Sequence, residues 1–354
     1  MPEGTDGLIL FEMICRKIAV ALVMIPAFHC LVFSQDRADT LPLSVMFYNT
    51  ENLFDTRDDS LVDDAEFLPR GVRRWNKTRY SNKLSSISKV IIAAGGWDPP
   101  AIVGLCEIEN RRVLADLAFG TALSAFGYGI VHEESPDTRG IDVCMLYRGD
   151  IVSVLSHHLW VPADSDLKDF HSRGILYVKC VVYGDTLHLL LNHWPSRRGG
   201  VLAGEDLRER MALGVRNIAD SLCKSSEGKA KIIVLGDFNC SPSDPLMLKL
   251  TAAELSGGGS LVNMADRKTS GKEGTYRYQG TWEIIDQIIV SNGLLNSSEG
   301  LKTGPEHFRI FSPDFLLKDD PKYPGPVPFS TYRGYSYQGG FSDHLPVLLD
   351  LELH

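Results

Sequence analysis

Apolar, strand-length runs recur along this chain, and most of them stop on, or start from, an acid, an amide or a histidine. Ile102–Cys106 runs into Glu107, and Leu187–Leu191 runs into Asn192 and His193. Lys231–Leu235 runs into Gly236-Asp237-Phe238-Asn239, Ile284–Val290 holds Asp286 inside it, and Asp343-His344 precedes the closing run that includes Val347–Leu353. A short, continuously apolar run reads as a strand buried on both faces. A carboxylate at the end of such a strand loses hydration, so it needs a partner or a metal. Each feature also has an ordinary reading, since Asp or Asn after a strand is common turn chemistry. The repetition is what constrains the fold. Several such ends gathered on one rim make an oxygen-rich pocket with two imidazoles beside it.

The rest of the chain fits a sheet-centred architecture. Pro42–Tyr48 and Ile141–Tyr147 read as further strands. Lys77–Ala94 reads as a helix, with Tyr80, Leu84, Ile87 and Ile91 at helical spacing and Gly95-Gly96 as its stop. A second long helix carries Leu207, Met211, Val215, Ile218 and Leu222. Gly257–Gly259 reads as a loop, and Pro305–Gly340, rich in Pro, Gly and Tyr, as a long irregular loop that is either a wall of the site or a structural cover. No repeat divides the 354 residues, and 44% hydrophobic with 23% charged residues is ordinary for a globular protein. The expectation is one α/β (α+β) domain over residues 35–354. A net charge of −9 speaks against binding nucleic acid through a basic groove alone, although a bound cation can supply positive charge locally.

The N-terminus reads as an export leader. Arg16-Lys17 precedes the apolar stretch Ile18–Phe33, which is short for a membrane span. Residues 1–34 are read as a signal peptide, with Met13 as an alternative start and cleavage near Ser34-Gln35. A retained anchor and lipidation at Cys30 are the alternatives. The expected location is secreted, periplasmic or at the cell envelope, with a monomeric mature chain and no stable membrane span. Cys106, Cys144 and Cys180 read as small buried hydrophobes, and no CxxC pair suggests structural zinc.

The ordered set Asn49 (in FYNTENLFD), Glu107 (in VGLCEIEN), Arg139-Gly140-Ile141-Asp142, Asn192-His193 (in LNHWPSR), Asp237-Phe238-Asn239, Asp286 (in IIDQIIVS) and Ser342-Asp343-His344 resembles the endonuclease/exonuclease/phosphatase superfamily. The resemblance runs from about Leu43 to the C-terminus, and looks most like secreted bacterial members with ENLFD and NHWPSR motifs. It implies a four-layer sandwich, two packed, mainly antiparallel β-sheets flanked by helices, with the site at one rim. It implies a divalent metal held by Asn49 and Glu107 with Asp343 nearby. Mg²⁺, Mn²⁺ and Ca²⁺ all take such oxygen ligands. It assigns Asp237 and Asn239 to the attacking water and the phosphate, and pairs His344 with Asp286. His193 is the second histidine, and which of the two is the general acid stays open. Asn192, Arg139 and Arg197 are substrate-binding candidates, the arginines as phosphate clamps. Trp282, in the stretch after Thr275-Tyr276-Arg277-Tyr278, either stacks on a base or sugar or packs structurally.

Three functions are weighed. The first is a metal-dependent nuclease cutting nucleic acid by attack of water on phosphorus. The second is a phosphodiesterase or phosphatase on small or lipid-derived phosphate esters. The net acidity favours this one slightly, and the lack of a strongly apolar hairpin counts against a sphingomyelinase. The third, a binding protein that kept the fold, predicts loss of Glu107, Asp237, His193 or His344, and all four are present.

Overall fold

The computed structural model describes residues 43–354, apart from 97, 163–170, 197–200, 253, 267–272 and the side chains of 201–203. The leader 1–34 and Arg197 lie outside the described residues.

The first sheet is built from β1 (Leu43–Leu53), β2 (Ile102–Ile108), β3 (Tyr128–His132), β4 (Asp142–Arg148), β13 (Leu301–Lys302), β14 (Phe308–Ile310) and β19 (Val347–Leu353). Its strand order is β13-β19-β1-β2-β4-β3, with β14 also paired to β19. The second sheet holds β5 (Val152–Trp160), β6 (Ile175–Val182), β7 (Asp185–His193), β8 (Lys231–Asp237), β9 (Leu261–Asn263) and β12 (Asp286–Ser291), in the order β5-β6-β7-β8-β12-β9. The pairs β1–β2 and β7–β8 are parallel, and every other pairing within these two sheets is antiparallel.

Strand alternation explains the layers. In β1, Val45 and Phe47 pack into the core between the sheets with Met145, Val178, Leu189, Leu191, Leu235 and Leu349. Met46 and Tyr48, one residue out of phase, pack on the other face of the first sheet. There they meet Ile87, Val90 and Ile91 of α1 (Lys77–Gly95), and Val113, Leu114 and Leu117 of α2 (Arg111–Gly120) complete that layer. The second sheet is covered in the same way by α3 (Val201–Ser225), through Met211 and Val215, and by α4 (Pro245–Ala252), through Met247 and Leu250. A one-turn helix, α5 (Asn292–Leu295), follows β12. The order helix, sheet, sheet, helix is the four-layer sandwich. Burial on both faces is why the strands read as unbroken apolar runs, each large side chain contributing about 1.5–3 kcal/mol.

Local chemistry sets the helix bounds. The Asn76 side chain caps α1 by accepting from the backbone N–H of Thr78 and Arg79, both at 3.1 Å. Gly96 takes φ +68° just past its end.

Pro305–Gly340 is not irregular throughout. It carries the short pairs β15 (Leu317–Asp319) with β16 (Pro326–Pro328) and β17 (Tyr332–Arg333) with β18 (Ser336–Tyr337). Phe311, Phe315, Tyr332, Tyr337 and, just beyond the segment, Phe341 pack over the outer core of the first sheet, with the Phe315 and Phe341 rings 5.4 Å apart. The segment is a structural cover. Cys106, Cys144, Cys180, Cys223 and Cys240 are buried free thiols. Among the described residues no helix is long and apolar enough to cross a membrane.

Candidate active site

Register brings the polar strand ends together. Asp237 at the end of β8 stands opposite His193 at the end of β7 on one side and Asp286 at the start of β12 on the other. In the first sheet Asn49 of β1 stands opposite Cys106, next to Glu107. Left-handed residues stand near the C-terminal ends of β1, β2 and β8: Glu51, Asn52, Glu107 and Asn239 have φ between +51° and +61°. Such backbone costs about 1–3 kcal/mol per non-glycine residue and persists where the surroundings enforce it.

The side chains converge across the two sheets. Asn49 Nδ2 donates to Asp237 Oδ2 at 3.0 Å and to Glu107 Oε1 at 3.3 Å. His193 Nε2 lies 3.8 Å from both Glu107 Oε1 and Asp237 Oδ2. His344 Nε2 lies 3.9 Å from Asp237 Oδ2 and 4.0 Å from Asp343 Oδ1, while its Nδ1 is 2.8 Å from Asp286 Oδ2. Ser342 Oγ donates to the Asn49 carbonyl at 2.7 Å and accepts from the His344 N–H at 3.1 Å, which ties the Asp343-His344 turn to β1. Asn239 donates its backbone N–H to Asp237 Oδ1 and its side-chain amide to the Trp194 carbonyl, both at 3.0 Å.

These groups open into a cleft of about 580 Å³. Glu107, His193, Asp237, Asn239, Asp343 and His344 line it together with Arg139. Further groups that the strand-end pattern does not mark also line it, among them Arg173, Tyr276, Tyr278 and Glu283. Arg173 is buried, donating to Asp137 Oδ2 at 2.8 Å and to the Trp194 carbonyl at 3.1 Å. The Tyr276 ring lies 5.0 Å from that of His344.

Two expected substrate-binding residues stand elsewhere, and a third is not among the described residues. Asn192 is fully buried and does not line the cleft. Its amide donates to the Leu190 carbonyl and accepts from Trp194 Nε1. Trp282 lies outside the lining, on the back of the hairpin β10 (Tyr276–Tyr278) and β11 (Thr281–Glu283), where it faces Arg277 at 5.8 Å and packs on the outer core. Arg197 lies outside the described residues.

The electrostatics are uneven. Burial, then Asp286, pushes the Asp237 carboxyl up to about 7, against the opposing pull of His344. Burial pulls the His344 imidazole down, but Asp286 and Asp237 outweigh it and hold the group well above the usual imidazole range. Burial, then Arg173 and Arg139, pushes His193 well below that range. Asp237, Asp286 and His344 form a group of potential metal ligands, and the Glu107 and Asp343 carboxylates line the cleft beside it; carboxylate oxygens are the donors that a hard divalent ion takes. Glu107 and Asp343 both face the cleft and fit as its carboxylate ligands. His132, Glu134 and Asp142 form a separate group of potential ligands.

The fold is shared with solved structures of low identity. A humanized D. rerio TDP2 aligns over 88% of this chain and 98% of its own, at 14% identity and TM-score 0.54. An endonuclease/exonuclease/phosphatase from Bacteroides vulgatus aligns over 88% and 99%, at 18% identity and TM-score 0.54. A mannosyl-6-phosphatase of Bacteroides thetaiotaomicron aligns over 87% and 99%, at 16% identity and TM-score 0.53. No curated protein sequence matches. Residues 44–353 match the sequence profile of the endonuclease/exonuclease/phosphatase family, and the chain belongs to that family.

Proposed function

We propose that this chain is a divalent-metal-dependent phosphoester hydrolase whose preferred substrate is a nucleic-acid phosphodiester. The observation that carries the reading is the position of Asp237, which faces Asn49, His193 and His344 within 3.9 Å on the floor of a cleft that also presents two arginines. Glu107 and Asp343, with Asn49 beside them, are the residues to hold the cation. When bound, that cation polarises a phosphoryl oxygen and neutralises charge that grows in the transition state.

The chain's own groups divide the remaining work. Arg139 and Arg173 offer guanidinium donors to the phosphate from one side of the cleft. Asp237 accepts from the attacking water and so fixes its direction. Asn239 spends one amide N–H on the Trp194 carbonyl and keeps a second for a phosphoryl oxygen. The Asp286 carboxylate at 2.8 Å favours imidazolium at His344, so His344 is the donor to the phosphate or the leaving oxygen. His193 has no carboxylate closer than 3.8 Å and two arginines near it, which favours the neutral ring. The choice between histidines that the sequence leaves open thus falls on His344 as the acid.

Tyr276 and Tyr278 line the cleft and give a base or sugar a surface to stack on. D. rerio TDP2 has been solved with a single-strand DNA product in this fold. A second reading, a phosphatase on a small sugar phosphate, is favoured by Glu283 in the cleft and the net charge of −9, both unfavourable to a polyanion. The test incubates residues 35–354 with supercoiled plasmid, single-stranded oligonucleotide and mannose 6-phosphate in Mg²⁺ or Mn²⁺. A chelated sample and Asp237→Asn stand beside it. Nucleic-acid cleavage lost in both controls is the expected result. Release of phosphate from the sugar alone replaces the substrate, and no hydrolysis in any arm rejects the reading.

A further inference from the structure

Lys83 is a fully buried cation outside the cleft. It sits on the inner face of α1, and its side chain is among the largest that are completely enclosed. An ammonium in such a place costs several kcal/mol unless its donors are satisfied. Its Nζ donates to Thr331 Oγ1 and to the Phe341 carbonyl. Glu51, two residues past Asn49 on β1, approaches the same segment from the other side. Its carboxylate accepts from the Thr331 N–H at 2.6 Å and from the Tyr332 N–H at 3.0 Å. Thr331 is therefore held through its hydroxyl by Lys83 and through its backbone by Glu51. The Thr331 carbonyl in turn accepts from the Gln338 and Gly339 N–H groups, at 2.8 and 3.3 Å, closing the turn back toward Phe341.

The consequence reaches the site. Phe341, gripped by Lys83, immediately precedes Ser342, whose hydroxyl bonds the Asn49 carbonyl, and then Asp343 and His344. The charges that face Lys83 are Glu51, Asp343 and Glu107, whose pull upward partly offsets the lowering by burial. Glu51 and Lys83 thus connect the helix, the strand that carries Asn49 and the segment that delivers Asp343 and His344.

We propose that Lys83 and Glu51 are positioning residues: a buried charge latch that sets where Asp343 and His344 stand relative to Asn49 and Glu107. The proposal rests on the metal-dependent reading above. Its test measures Mn²⁺ affinity by electron paramagnetic resonance, which needs no turnover, beside kcat and KM on bis(p-nitrophenyl) phosphate. In Lys83→Met, removing a positive charge by itself tightens a cation. Only lost placement weakens it. The expected result is Mn²⁺ binding weakened about 10- to 100-fold, and kcat lowered with KM nearly unchanged, in protein that still unfolds cooperatively. Thr331→Val removes one acceptor, keeps both charges, and serves if Lys83→Met does not fold. It is expected to shift both readouts the same way by a smaller factor. Wild-type Mn²⁺ affinity and kcat in the folded variant overturn the latch alone. A wild-type chain that binds no Mn²⁺ overturns the latch together with the function it rests on.

Discussion

His344 shows how one side chain is tuned by its neighbours. Burial alone lowers an imidazole, yet Asp286 at 2.8 Å and Asp237 at 3.9 Å pull it up and win. Asp286 is fully buried and does not line the cleft, so it acts through its neighbours, His344 at 2.8 Å and Asp237 across the strand pair. Under the proposed mechanism Asp286→Asn leaves the ring in place but removes its strongest upward pull. The expected outcome is a fall in kcat of about 100-fold or more, with the alkaline limb of the pH–rate profile moved to lower pH. A profile unchanged in shape and height is the result that removes His344 as the acid. The sequence showed Glu107, His193, Asp237, Asp286 and His344 because each interrupts or borders an apolar run. It misplaced Asn192, because adjacent strand residues point to opposite faces and His193 takes the cleft side. For Trp282 it left stacking and packing open, and the structure has it packing, since Tyr276 and Tyr278 share one face of their hairpin while Arg277, opposite Trp282, takes the other. The strand-end pattern does not reach Arg173, since it counts acids, amides and histidines and an arginine before an apolar run is none of these.

At the scale of elements, the two sheets approach closely at Gly104. Gly104 in β2 faces the second sheet. A Cβ there would stand 2.8 Å from Leu191 Cδ2, 3.1 Å from Phe47 Cδ2 and 3.3 Å from Leu235 Cδ1. Gly104→Val is expected to destabilise by about 1–3 kcal/mol through overpacking, read as a lower urea midpoint at unchanged slope. Because Glu107 ends the same strand, activity is expected to fall as well. An unchanged midpoint contradicts the close packing described. Long apolar strands and periodic helices were legible, and the run Val347–Leu353 is observed with the same bounds. Strand β5 was not, since the consecutive exposed residues Leu155–His158 at the sheet edge break its pattern. The short pairs within 305–340 were hidden by Pro and Gly, which mark turns more strongly than two- or three-residue strands mark themselves.

At the scale of the molecule, neither sheet carries the site alone. The first supplies Asn49 and Glu107, the second His193 and Asp237, and the segments before β12 and β19 supply the hairpin wall and the Asp343-His344 turn. The sandwich is thus the device that gathers carboxylates from both sheets at one rim. The cover of aromatic residues over α1, with the Lys83 latch beneath it, fixes the last of these pieces without itself lining the cleft. The direct measurement is an anomalous difference map from crystals of the protein soaked in Mn²⁺. The expected result is density within coordination distance of the Glu107 and Asp343 carboxylates, beside Asn49. Density only at His132, Glu134 and Asp142, or none at the cleft, contradicts a metal-dependent site built from these strand ends.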